Sequence, residues 1–181
     1  ATSCSNSTST EVNYIVYNGK KTNMSGQFLA ADIEKLVPAE YEDPIEGIKY
    51  DAIFFDGVPY DITKVSEIKI GDCEEVAQIP ENFLAGCEDL RILDMSAVKG
   101  VKVINPGFCA GCLGLGELIL PTLKPMSDQT FASLVDDAGN FSAQIPTNFL
   151  DGAQVPNLTH VDFSGLANLR AIPAGFLKGN V

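Results

Sequence analysis

The stretch Val65-Ser66-Glu67-Ile68-Lys69-Ile70 opens the region that decides the fold, because its spacing of apolar residues recurs three more times. Each copy has apolar side chains at its first, fourth and sixth positions, and the other copies are residues 90–95, 115–120 and 158–163. The first three copies begin 25 residues apart, whereas the fourth begins 43 residues after the third. The spacing therefore predicts a repeat with an enlarged third unit, at about residues 127–144.

A second signature follows each copy. It first appears as Ile79-Pro80-x-x-Phe83-Leu84-Ala85-Gly86-Cys87 and returns, with changes, from Ile104, Ile145 and Ile172. A fixed period of this size is typical of solenoids, in which each unit buries its apolar face only by stacking on its neighbours. The predicted fold class is an α/β solenoid.

The rest of the chain divides into two segments. Residues 1–10 are polar and of low complexity, which indicates a flexible arm. Residues 11–60 are interpreted as an N-terminal cap for the solenoid, which itself covers 61–181. Within the cap, Val12, Tyr14 and Val16 alternate ahead of the turn Asn18-Gly19, a pattern typical of a β-hairpin.

The remainder of the cap contains a helix and a weak copy of the repeat. Ser25 can cap a helix that ends before Pro38. The spacing Ile45-x-x-Ile48-x-Tyr50 predicts a degenerate first coil. In the enlarged third unit, Ser127 and the residues after it predict a short helix.

These two signatures together resemble the leucine-rich repeats of the bacterial-surface-antigen, or BspA-like, class. The resemblance covers about two-thirds of the chain. It implies a right-handed coil with a parallel β ladder, and a secreted or cell-surface, non-catalytic protein used in adhesion or recognition.

The repeat also predicts which side chains face outward. In a strand the third and fifth positions of each copy point away from the first, fourth and sixth. We call these eight residues the ladder face and expect it to bind ligand: Glu67, Lys69, Ile92, Asp94, Glu117, Ile119, His160 and Asp162.

Composition limits the classes of partner. The chain has 24 acidic and 12 basic residues, a net charge of −12, which disfavours nucleic acid and anionic membrane. No apolar run is long enough to insert into a membrane. The acidic excess serves solubility, or it matches calcium or a basic partner.

No residue pattern predicts an enzyme or a cofactor. His160 is the single histidine, which argues against a multi-histidine metal site and a catalytic triad. Cys109-x-x-Cys112 has redox spacing, but both residues occupy apolar columns of the repeat. We therefore predict a non-enzyme without a cofactor.

The cysteines nevertheless suggest two modifications. Cys87 and Cys112 share a column one period apart, so stacked units would bring them within reach of a disulfide. Cys4 lies outside the repeat and could pair between chains. Residues 1–4 also resemble the end of a bacterial lipoprotein signal, which would make Cys4 a lipid-bearing residue.

Four asparagines fit the acceptor pattern for N-glycosylation: Asn6, Asn23, Asn140 and Asn157. They favour a secreted eukaryotic glycoprotein. The alternative is an unglycosylated bacterial surface protein with chance matches. Both interpretations place the chain outside the cell or at its surface.

Two functions follow from these observations. The first is recognition of a protein or glycan ligand by the ladder face and the enlarged third unit. The second is a structural role as a subunit of an extracellular filament. In that role an uncapped last coil ending at Val181 would meet the N-terminal arm of an identical subunit head-to-tail.

Overall fold

The computed structural model describes residues 12–133 and 144–180. They contain two α-helices, α1 (Ala30–Glu34) and α2 (Asp128–Ser133), and 3-10 helices at Ile62–Lys64 and Ser164–Leu166. Most of the regular structure is β. In chain order the strands are β1 (Asn13–Tyr17), β2 (Lys20–Met24), β3 (Ala39–Glu42), β4 (Lys49–Phe55), β5 (Val58–Asp61), β6 (Val65–Ile70), β7 (Gln78–Ile79), β8 (Ile92–Asp94), β9 (Val103–Ile104), β10 (Glu117–Ile119) and β11 (His160–Asp162).

The largest sheet has six strands in the order β11-β10-β8-β6-β1-β2. Its parallel flank consists of β6, β8, β10 and β11, one strand from each copy of the repeated spacing. Its other flank is antiparallel, because β1 pairs with both β6 and β2. The two smaller sheets are β3-β4-β5, which is antiparallel, and β7-β9, which is parallel.

The predicted α/β solenoid is wrong. The described residues form sheets of six, three and two strands with mixed strand directions, and these sheets do not build a solenoid. The two α-helices contain only five and six residues. The segments that follow Ile79, Ile104, Ile145 and Ile172, which an α/β repeat would use as helices, are turns.

Left-handed backbone conformations explain why these segments are turns. Asn82, Leu84 and Gly86 have φ values of 60°, 54° and 84°. An L-residue in this region cannot continue a right-handed α-helix. The same conformations recur one unit later at Gly107, Cys109 and Gly111. Alternate left-handed residues therefore interrupt every segment that could have become a helix.

The segment interpreted as a degenerate first coil lies in the three-stranded sheet instead. Ile45 belongs to the connection between β3 and β4 and is 92% exposed, and Ile48 is 55% exposed. Neither residue occupies an inward column of the repeat. The Asp43 carboxylate accepts hydrogen bonds from the N–H groups of Ile45 and Glu46, at 2.8 and 3.1 Å, so this connection is a tight turn.

Asn13 attaches the N-terminal hairpin to the rest of the core. Its side chain is buried, and its Nδ2 donates to the carbonyl oxygens of Asp72 and Gly26 at 2.9 and 3.2 Å. Its Oδ1 accepts from the N–H groups of Gly71 and Asp72 at 2.7 and 3.0 Å. Asn13 and Ile15 are the inward residues of β1, so the apolar alternation seen in the sequence faces outward.

Four phenylalanines form a continuous stack beneath the turns, which we call the aromatic ladder: Phe83, Phe108, Phe149 and Phe176. Neighbouring ring centroids are 5.7, 5.6 and 6.1 Å apart. Phe83, Phe108 and Phe149 are buried. The repeated phenylalanine column thus packs one unit on the next.

Candidate binding face

The strand register brings all eight residues of the ladder face into two parallel rows. Glu67, Ile92, Glu117 and His160 are consecutive partners across β6, β8, β10 and β11. The second row follows the same register two residues later and contains Lys69, Asp94, Ile119 and Asp162. Residues separated by many positions in sequence therefore lie about 5 Å from their row neighbours.

The apolar members of the ladder face are only half-exposed. Ile92 and Ile119 are flanked by strands on both sides, whereas Glu117, His160 and Asp162 are exposed. A shallow depression of 600 Å³ lies over β10 and β11 and reaches Phe163, whose side chain is 37% exposed. The ladder face thus has apolar side chains in its interior and polar side chains towards β11.

Two carboxylates of the ladder face also organise the backbone. Asp94 accepts a hydrogen bond from the N–H of Ser96 at 2.9 Å, and Asp162 accepts one from the N–H of Ser164 at 2.8 Å. The bonds that Ser164 donates hold the pKa of Asp162 below its ordinary value. These two aspartates therefore fix the turns after their strands.

The N-terminal hairpin extends the ladder face by two strands, which the sequence did not predict. Tyr14 lies opposite Lys69 and Asn23, and Val16 lies opposite Glu67 and Lys21. We call the ladder face together with Tyr14, Val16, Lys21 and Asn23 the sheet face. The alternation of Tyr14 and Val16 was visible in the sequence, but their pairing with β6 is a long-range contact without a local signal.

Tyr14 is the centre of a polar contact between the hairpin and β6. Its hydroxyl donates a hydrogen bond to the carboxylate of Glu67, and the Nζ of Lys21 lies 4.0 Å from its ring centroid. The pKa of Tyr14 is raised to about 12, mainly because the hydroxyl is partly buried and secondly because it is hydrogen-bonded to Glu67. Tyr14 is therefore neutral and held in one orientation at physiological pH.

The single histidine lies on β11, at one end of the ladder face. His160 is exposed, and its Nδ1 lies 3.0 Å from the Oγ1 of Thr159. Residues 12–133 and 144–180 contain no cluster of three or more histidine, cysteine or acidic side chains suited to a metal ion. In the same ranges no helix has the length and apolar character needed to cross a membrane.

The four cysteines of the repeat are buried, and three of them lie together. Cys73, Cys87, Cys109 and Cys112 are all buried and unpaired. Cys112 interacts with Cys87 and with Cys109, and its Sγ donates to the carbonyl oxygen of Leu84 at 3.1 Å. Burial raises the pKa of Cys109. A Cys87–Cys112 disulfide stays a prediction, and Cys4 lies outside the described residues.

Two of the four sequons lie in the described part of the chain. Asn23 is exposed on β2, within the sheet face. Asn157 is exposed too, and its Nδ2 donates to the carbonyl oxygen of Leu113 at 2.7 Å. Asn6 and Asn140 lie outside the described residues. A glycan on Asn23 would project from one end of the sheet face.

Comparison of the chain with protein-family models, curated proteins and solved structures found no match. The resemblance to BspA-like repeats therefore stays a prediction.

Proposed function

We propose that this chain is a non-catalytic recognition module that binds a protein or glycan ligand through the sheet face. The observation that carries the proposal is the arrangement of twelve outward side chains in two rows across six hydrogen-bonded strands. A sheet holds such side chains at fixed spacing, so little conformational freedom is lost when a ligand binds.

The chemistry of the sheet face fits a binding surface. Its inner strands carry Ile92, Ile119 and the neutral Tyr14 beside charged side chains of β6 and β8, whereas exposed polar groups such as Lys21 and His160 lie towards its ends. Apolar and aromatic residues within a polar rim are typical of protein interfaces. Four of the eight ladder-face residues are acidic and one is a lysine, which favours a ligand with basic or hydroxyl groups.

The dimensions also fit an extended ligand. Six strands at about 4.8 Å spacing give rows roughly 24 Å long. An extended peptide rises about 3.3 Å per residue, so about seven residues could lie along the face. A short oligosaccharide would occupy the same length. We place the function outside the cell or at its surface, on the basis of the sequons and the proposed resemblance.

The experiment begins with a selection on the intact protein. Purified chain is screened against a printed glycan array and a displayed library of linear peptides, and the strongest ligand is then used in hydrogen-exchange mass spectrometry. We expect ligand-dependent protection in β1, β6, β8 and β10. Protection confined to β3, β4 and β5, or no selected ligand from either library, would contradict the proposal.

The filament function stays a prediction. It depends on the N-terminal arm and on Val181, which lie outside the described residues. Light scattering over a range of protein concentrations tests it, because a strictly monomeric protein at high concentration excludes head-to-tail assembly.

A further inference from the structure

One side of the three-stranded sheet is rich in aromatic residues that are half-exposed. Ile53 and Phe55 of β4 are buried in the core, so alternation places Tyr50 and Phe54 on the opposite side of the strand. Tyr41 of β3 lies directly opposite Tyr50, and its ring centroid is 5.5 Å from that of Tyr50 and 5.7 Å from that of Phe54. We call Tyr41, Ile48, Tyr50 and Phe54 the aromatic face.

The adjoining turn extends this apolar surface. Asp43 N–H donates to the carbonyl of Ile48 at 2.8 Å, so the antiparallel pairing continues one residue beyond β4. Ile48 therefore lies on the same side as Tyr50 and is 55% exposed. An apolar patch held in the open by a well-ordered turn is a common mark of an interaction site.

The charge around the aromatic face is strongly one-sided. Between residues 39 and 61 the chain has seven acidic residues and one lysine: Glu40, Glu42, Asp43, Glu46, Asp51, Asp56 and Asp61 against Lys49. Lys49 lies 4.0 Å from Glu40, but both side chains are largely exposed, so this ion pair neutralises little. The surface is complementary to a cationic partner.

Among residues 12–133 and 144–180, no strand pairs with the outer side of β3, so β3 is an edge strand there. Its sheet has the order β3-β4-β5, so β3 has a strand neighbour on one side. Because Asp43 and Ile48 form a hydrogen-bonded pair, alternation makes Tyr41 and Tyr50 one too. The backbone groups of Glu40 and Glu42 then point away from β4, towards the open edge.

The side chains of β3 decide what can pair with it. Glu40 and Glu42 lie on one side of the strand, and Tyr41 lies on the other. A second copy of this chain would place glutamates beside glutamates, which is unfavourable. A segment that alternates basic and apolar residues would instead place its basic side chains beside the glutamates and its apolar side chains beside Tyr41 and Ile48.

We propose that β3 and the aromatic face bind an extended segment of a partner protein in which basic and apolar residues alternate. The segment adds to the sheet as a further antiparallel or parallel strand along β3, a recurrent mode of peptide recognition. This site is separate from the sheet face and does not depend on the function proposed for it. Nucleic acid and anionic membranes are disfavoured by the same charge.

The test uses a fluorescently labelled seven-residue peptide of alternating lysine and valine, with fluorescence anisotropy at low and physiological salt. We expect saturable binding that weakens with salt. A peptide of the same composition with all lysines first, and one with glutamate in place of lysine, should bind at least tenfold more weakly. Equal binding of the rearranged peptide would overturn the proposal, because strand addition requires alternation.

Two matched charge reversals locate the site. Glu40→Lys combined with Glu42→Lys should weaken binding at least tenfold, whereas Glu75→Lys combined with Glu81→Lys, two exposed acids elsewhere, should change it less than twofold. Equal losses in both pairs would show attraction to net charge alone and overturn the proposal. Circular dichroism on each variant confirms that it is folded.

Amide exchange measured by NMR supplies the independent readout. The N–H groups of Glu40 and Glu42 should become protected when the peptide binds. Protection without peptide, together with dimers in sedimentation, would show that a second copy occupies the edge and would overturn the proposal. Loss of binding in Ile92→Asp would also overturn it, since that residue belongs to the sheet face.

Discussion

Replacement of Phe108 by alanine is the sharpest test of how the repeated units are held together. Phe108 is 5% exposed and stacks on two rings, with centroids 5.7 Å from Phe83 and 5.6 Å from Phe149. Truncation of a buried phenylalanine removes about 3–5 kcal/mol from the free energy of unfolding, because a cavity remains. Each aromatic pair adds about 0.5–1.5 kcal/mol beyond the buried area.

These magnitudes also predict which phenylalanine variant loses the most stability. Among the described residues, Phe83 stacks on one ring of the aromatic ladder and Phe108 on two. Phe108→Ala should therefore cost about 4–8 kcal/mol, roughly 1 kcal/mol more than Phe83→Ala. Phe163→Ala is the control, because that side chain is 37% exposed and should cost less than half as much.

The assay is equilibrium unfolding in urea, followed by far-UV circular dichroism, for the wild type and the three variants. A loss of 4 kcal/mol corresponds to a fall in melting temperature of about 8–16 °C for a chain of this size. If Phe108→Ala costs less than about 1.5 kcal/mol, or no more than Phe163→Ala, the aromatic ladder does not join the units and the reasoning is refuted.

Three further predictions concern the turns, Tyr14 and the thiols. Gly107→Ala should lower the free energy of unfolding by about 2–5 kcal/mol in urea titrations, because its φ is 90° and a Cβ would collide with the preceding unit. Gly57→Ala, at φ 76° in open space, should cost only about 1–2 kcal/mol, and equal losses would contradict the packing argument. Tyr14 should ionise near pH 12 in NMR titrations of its ring signals, so the stability it contributes is complete below pH 10 and is lost as the pH rises towards 12. Glu67→Gln should lower that pKa, and an unchanged value would exclude the hydrogen bond as a cause. In a reduced Cys4→Ser variant, the remaining thiols should react with Ellman's reagent only after unfolding, since all four are buried, and rapid reaction in the native protein would contradict that burial.

The columns of the ladder face lie side by side in the six-stranded sheet. Glu67, Ile92, Glu117 and His160 are strand partners, because a two-residue alternation fixes which side chains share a face. The predicted α/β solenoid was wrong, because the segments between the repeated strands are turns. The sequence did contain evidence for turns, because asparagine or glycine occupies the column of Asn82 in every unit. These residues tolerate positive φ better than other residues do.

Other features of the fold could not be predicted from short stretches of sequence. The pairing of Tyr14 with Lys69 joins residues distant in sequence, so the mixed sheet could not be inferred from either strand alone. Ile45 and Ile48 matched the apolar spacing of the repeat, yet the Asp43 turn exposes them. Spacing over so short a window does not distinguish an inward column from an exposed hairpin.

The most direct test of the central claim is the affinity of the selected ligand for a variant with both Ile92→Asp and Ile119→Asp. The matched control is Ile172→Asp, because that side chain is 71% exposed and lies outside the sheet face. Biolayer interferometry on folded proteins should show a loss of at least tenfold for the double variant and less than twofold for the control. Unchanged affinity in the double variant would contradict recognition through the sheet face.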